Sequence, residues 1–150
     1  GTGIQLNSML GEEDLNPQGF HQHPVGTRIP SMMSPTMALS DDGIRLATGS
    51  AGSNRIRSAV LSILLNVLKH GMSLKQAVEA PRVHVEGEVV ELEGGIPEEV
   101  AKALTADGYT INLWKDLNLF FGGAHSVARS THGALEGHGD SRRGGATVVV

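Results

Sequence analysis

The alternation of apolar and polar positions divides the chain into elements. Apolar residues at Ile56, Ala59, Val60, Ile63, Leu64, Val67 and Leu68 follow the i, i+3, i+4, i+7 spacing of one helix face, which Leu61 and Leu65 widen. This spacing predicts a largely buried helix, which His70-Gly71 ends with a left-handed cap. Two shorter helices follow. One opens on Ser73-Leu74-Lys75-Gln76, which has capping-box spacing, and stops at Pro81. The other has Pro97 in its first turn and runs to Gly108. Thr36 to Leu39 and Ile44 to Thr48 flank Ser40-Asp41-Asp42-Gly43, and an Asp-Gly turn between apolar runs signals a hairpin. Arg82 to Val85 and Val89 to Leu92 read as paired strands around Glu86-Gly87-Glu88. Gly3 to Leu6, Tyr109 to Trp114, Ala124 to Arg129 and a closing Ala146 to Val150 are further strands, and 7–30 reads as a long loop. Strands on both sides of a helical block favour an α+β fold with a largely antiparallel sheet, in a single domain over 1–150.

Between the Ile44–Thr48 strand and the long helix stands Gly49-Ser50-Ala51-Gly52-Ser53-Asn54-Arg55-Ile56. It lacks the Lys-Ser/Thr ending of a phosphate-binding loop and the G-x-G-x-x-G spacing of a dinucleotide turn. Capping by Ser53 or Asn54 needs no ligand. An oxyanion site stays open, because N–H groups at a helix start carry a favourable dipole.

Composition narrows the chemistry. The 150 residues carry 12 Lys+Arg against 16 Asp+Glu, a net charge of -4, with 3% aromatics, so neither the charge nor the stacking platforms of a nucleic-acid binder are present. The absence of cysteine excludes disulfides, thiol nucleophiles and cysteine-ligated zinc. His21-x-His23 is the only close histidine pair among seven, and its spacing supports no zinc geometry, so no metal or cofactor is expected. No apolar run is long enough for a membrane span. Ser31, Ser34 and Ser53 sit in Gly/Pro-rich contexts, where hydroxyls serve turns and caps, and no Ser-His-Asp set is identifiable. Glu12, Glu13 and Asp14 read as a solvated face that could also receive a ligand ammonium.

The order of the blocks carries more than any one of them. GTGIQLNSML, then GTRIPSMMSPTMAL, then GSAGSNRIRSAVLSILLNVLKHGMSLKQAVEAPRVH, then HGDSRRGGA resembles the C-terminal part of the small subunit of the gamma-glutamyltranspeptidase family. The resemblance implies part of an N-terminal-nucleophile hydrolase, an αββα sandwich made by self-cleavage of a precursor. In that family the Thr that opens the small subunit attacks the γ-glutamyl amide of glutathione-like substrates, with its own α-amine as base. The glutamyl group then passes to water or to an amine.

Carried over residue by residue, Gly52 and Ser53 match the paired glycines whose N–H groups form the oxyanion hole. Ser31 matches the first of two adjacent serines that bind the substrate α-carboxylate, and Met32 occupies the second position. Glu12, or Glu13 on a one-residue slip, matches the acid that holds the α-amino group, and Met9 stands where a polar residue assists it. The nucleophile is expected upstream of Gly1; Thr2 does not replace it, and Ser130-Thr131-His132 only echoes such a start. The implied partners are a γ-glutamyl small molecule or peptide, the large subunit and the N-terminal part of the small subunit. An uncovered sheet edge would favour homo-oligomers. Family members are commonly exported, which points to a periplasmic or secreted setting and leaves a cytoplasmic one open. Two alternatives remain: an acylase of the same fold with a less polar acyl group, and a non-catalytic scaffold.

Overall fold

A computed structural model describes residues 1–3, 9–41, 43–129 and 133–148, without the side chain of Ile44. The chain forms two compact units, 1–32 and 33–150. The expected strand residues 4–6, Asp42 of the hairpin turn, the 130–132 segment and 149–150 lie outside the described residues.

In the first unit, the stretch read as a plain loop contains two 3-10 turns, Met9–Gly11 and Glu13–Leu15. Leu15 and Asn16 are buried, and the Asn16 amide donates to the Glu12 carbonyl at 2.7 Å.

The second unit is built on a four-stranded antiparallel sheet ordered β1-β2-β6-β7. Here β1 is Thr36–Ser40, β2 is Gly43–Ala51, β6 is Gly123–Arg129 and β7 is Leu135–His138. The predicted hairpin pairs Thr36 with Thr48 and Ser40 with Gly43, with a register shift between Ala38 and Leu39. Two expectations are corrected. The stretch Gly49–Ala51 is strand rather than turn, because each residue pairs with β6 as far as Ala51 with Gly123. Among the described residues the last strand is Leu135–His138, and 146–148 is not strand. A 3-10 turn at Ser141–Arg143 redirects the chain so that Ala146 and Thr147 pass close against Gly139 and Gly137.

Helix α1 (Arg55–Leu64) packs on β2 and β6, and α2 (Leu74–Glu79) on β6 and β7. Leu46, Ala59, Ile63, Leu74, Val78 and Ala124 form the core between them. Ile56, Ala59, Val60 and Ile63 are buried, as the periodicity requires, while Leu61, Leu65 and Leu68 are exposed. The apolar stripe is wider than the sheet it covers. After Leu64 the helix widens into a π turn over Leu65–Lys69, and Gly71 takes φ 66. The Ser73–Gln76 capping box forms in both directions.

A smaller sheet joins β3 (Val83–Glu86) antiparallel to β4 (Val89–Leu92) and β4 parallel to β5 (Thr110–Leu113), with α3 (Glu98–Ala106) as the crossover. The parallel pair is the exception to the antiparallel expectation. Among the described residues no helix is long and apolar enough to cross a membrane.

Candidate active site

Strand β2 runs into Gly52 and Ser53, which lead directly into α1. Gly52 has φ 128 and Ser53 has φ 52, so both occupy backbone space that L side chains rarely enter. A Cβ on Gly52 would lie 2.9 Å from Gly122 Cα, and one on Gly122 (φ 85) would lie 2.8 Å from the Ala51 carbonyl oxygen. The two glycines therefore permit a close crossing of the ends of β2 and β6. Gly52 and Ser53 carbonyls accept from Arg55 and Ile56 N–H, each at 3.0 Å, which splices the turn to the helix.

Right-handed backbone follows this turn at once, with Asn54 at φ -57 opening the helix. The helix dipole adds positive potential there. Its first turn holds no acid, unlike that of α3 with Glu98 and Glu99. The Arg55 guanidinium lies 5.0 Å above the Phe120 ring, and the Arg143 guanidinium reaches within 3.5 Å of the Cβ position of Gly52. Asn54 is not a side-chain cap; its amide donates instead to Glu86 Oε1 at 3.3 Å. The turn suits a transient oxyanion.

The other sequence candidates belong to the first unit. Ser31 Oγ lies 3.8 Å from Met9 Sδ, and Glu12 N–H donates to the Met9 carbonyl at 3.2 Å, so Met9 is in contact with both. Ser31 and Glu13 are exposed, whereas Glu12 and Met32 are half-buried.

A charged cluster that sequence spacing does not predict ties the end of α2 to β6. Arg82, Glu93, Asp140 and Arg142 have side chains at most 1% exposed. Arg82 Nη2 donates to Asp140 Oδ2 at 2.6 Å, and Arg142 grips both oxygens of Glu93 at 2.7 Å. Arg142 also donates to the Val78 and Ala80 carbonyls, and Arg82 to that of Val78, so the two guanidinia satisfy the open C-terminus of α2. Ala124 N–H donates to Asp140 Oδ2 at 2.7 Å, which fixes β6 two residues beyond Gly122. Burial alone would raise the Asp140 pKa; the Arg82 charge and the hydrogen bonds from Ala124, Arg82 and Arg142 outweigh it and hold the carboxyl below its ordinary range. Arg82 and the Asp140-Ser141-Arg142 run stand in two of the resemblance blocks, which was the available signal.

The family model for gamma-glutamyltranspeptidase matches residues 1–150. The acylase ACY 1 proenzyme of Pseudomonas sp. (strain SE83) is 37% identical over 150 residues, 100% of this chain and 26% of the relative. The glutathione hydrolase proenzyme of Bacillus subtilis (strain 168) is 32% identical over 150 residues, 99% of this chain and 25% of the relative. Among solved structures, the gamma-glutamyltranspeptidase from Pseudomonas nitroreducens complexed with L-DON superposes with a TM-score of 0.74 at 29% identity, covering 85% of this chain and 67% of that one. The chain spans about a quarter of the length of the curated relatives it matches. Its α+β architecture is that of part of an N-terminal-nucleophile hydrolase. With the family model matched along its whole length, the chain belongs to the gamma-glutamyltranspeptidase family.

Proposed function

We propose that the protein carrying this chain cleaves γ-glutamyl amides such as glutathione through a Thr acyl-enzyme, and that Gly52 and Ser53 supply the oxyanion donors. The observation that carries this reading is Ser53 at φ 52: serine holds a glycine-type backbone where the family pattern has glycine. A backbone donor depends on that conformation and not on the side chain. In the proposed cycle, a Thr outside these 150 residues loses its proton to its own α-amine and attacks the amide carbon. The carbonyl oxygen becomes negative against the two N–H groups, the amine leaves with the proton, and water or an acceptor amine releases the acyl group. Ser31 would accept the substrate α-carboxylate as a hydroxyl donor, and Glu12 or Glu13 would take its α-ammonium.

A second reading has a specific observation in its favour. Met9 Sδ lies 3.8 Å from Ser31 Oγ, and half-buried Met32 follows Ser31, so two positions where the resemblance implies polar grips carry apolar side chains. One relative at 37% identity is named an acylase. Both point to a less polar acyl group on the same machinery.

The full-length precursor, assayed with a γ-glutamyl anilide and an aliphatic acyl anilide in parallel, separates the two. Two chains on a denaturing gel and faster turnover of the γ-glutamyl anilide are expected. Preference for the aliphatic substrate favours the acylase, and one uncut chain that hydrolyses neither overturns both.

A further inference from the structure

Next to the turn, four polar side chains close a circuit between α1 and β3. His84 is 2% exposed, and both its ring nitrogens are engaged. Nδ1 lies 2.8 Å from Ser58 Oγ, and Nε2 lies 2.8 Å from Glu86 Oε2. The other Glu86 oxygen accepts from the Asn54 amide at 3.3 Å. The Phe120 ring meets the imidazole edge-on at 6.2 Å.

The circuit closes because two repeats match. Asn54 and Ser58 are four apart on a helix, a rise of about 6 Å. His84 and Glu86 are two apart on a strand and share a face, a separation of about 6.7 Å. Two helix side chains one turn apart therefore face two strand side chains on one face, and each finds a partner.

The set has the composition of a Ser-His-acid triad, but its access is reversed. The exposed end is the carboxylate, with Glu86 at 47%, while Ser58 is half-buried beside an enclosed ring. A nucleophile needs the opposite arrangement, with an open hydroxyl and a sheltered acid.

We propose that His84 and Glu86 are positioning residues, which hold the first turn of α1 against β3 and so fix the orientation of the Gly52 and Ser53 N–H groups. This role rests on the oxyanion reading above. The mechanical link is short: Asn54 follows Ser53, and Arg55 and Ile56 N–H bind the Gly52 and Ser53 carbonyls. The Gly52 carbonyl shares its peptide plane with the Ser53 N–H, so a slack helix start would rotate that donor directly and the adjoining Gly52 N–H through it. Oxyanion donors act on the transition state, so the loss falls on kcat and spares KM.

The test uses the full-length protein with Glu86→Ala and Glu86→Gln, read by amide hydrogen exchange of residues 52–54 and by kcat and KM on the preferred anilide. Glu86→Ala is expected to raise exchange there and to lower kcat by about tenfold, less than the 10²–10³ of a lost donor, with KM within about twofold. Glu86→Gln, which keeps one carbonyl acceptor, should recover part of both. Unchanged exchange in folded Glu86→Ala overturns the proposal, as does faster exchange with unchanged kcat, or labelling of Ser58 by a fluorophosphonate. Should Glu86→Ala fail to fold, Asn54→Ala cuts the same circuit from the helix side and is held to the same outcomes. Failure of the oxyanion reading shows separately, as a Gly52→Ala enzyme with undiminished kcat, and the exchange measurement then still decides whether the clamp exists.

Discussion

Replacing Asp140 by asparagine keeps the shape of the side chain and removes its charge from the most enclosed polar site of the second unit. The carboxylate accepts from Arg82 Nη2 (2.6 Å), Ala124 N–H (2.7 Å), Arg142 N–H (3.0 Å) and Arg142 Nη1 (3.1 Å). An amide keeps one acceptor oxygen and turns an NH₂ group toward cationic donors. Among the ion pairs of the described residues, Arg82 and Arg142 then keep Glu93 as their buried counter-charge, with side chains at most 1% exposed. Removing one partner of a buried ion pair costs about 3–5 kcal/mol, because the remaining charge stays desolvated. For a domain of this size each kcal/mol lowers Tm by about 2–4 °C, so Asp140→Asn should lower it by roughly 10 °C. A reversible thermal melt followed by far-ultraviolet circular dichroism measures this. A shift below about 3 °C, corresponding to about 1 kcal/mol, would refute the view that this carboxylate neutralises two buried guanidinia.

Acid should act through the same group. A carboxyl whose folded pKa lies below its unfolded value contributes stability above the unfolded value, near pH 4, and loses it as pH falls through the folded one. Thermal melts of the parent should therefore fall steeply below about pH 4, and Asp140→Asn should flatten that slope. Gly52→Ala places a Cβ 2.9 Å from Gly122 Cα at φ 128, so the turn must shift. The expected loss is about 10²–10³ in kcat of the full-length enzyme, and steady-state kinetics with full activity would contradict it. Ser53→Gly should leave kcat within a few-fold, because the N–H survives. Its stability, read by urea unfolding, should stay within about 1 kcal/mol, since relief of left-handed strain offsets the added freedom of the unfolded chain.

Much of the secondary structure was legible in local pattern. The α1 face, the capping box at Ser73 and the hairpin at Ser40–Gly43 depend on neighbours within one or two turns of chain, and these are written in sequence spacing. The order of the blocks likewise points to the Gly52-Ser53 turn. Two features of the secondary structure were not legible. Gly49 to Ala51 looked like a turn because glycine and serine favour turns, yet β6 supplied hydrogen-bond partners that hold it as strand. The run 146–150 is the more hydrophobic, yet among the described residues it is Leu135–His138 that has the β6 partner.

Sequence by itself determined the three α-helices, the glycine that follows the first of them, and that the chain is gamma-glutamyltranspeptidase-like. Only the tertiary structure decided that Arg82, Glu93, Asp140 and Arg142 form one neutral buried set, since Arg82 and Asp140 are 58 positions apart along the chain. It alone also brought Ser58 to His84, 26 positions away. A charged residue reads as solvated until folding removes its water, and the partner that compensates for that loss is set by packing, not by spacing. The backbone of Ser53 follows the same logic: its side chain argued for a cap, while the crossing of Gly52 and Gly122 and the circuit around His84 surround a turn that holds it in glycine's conformation.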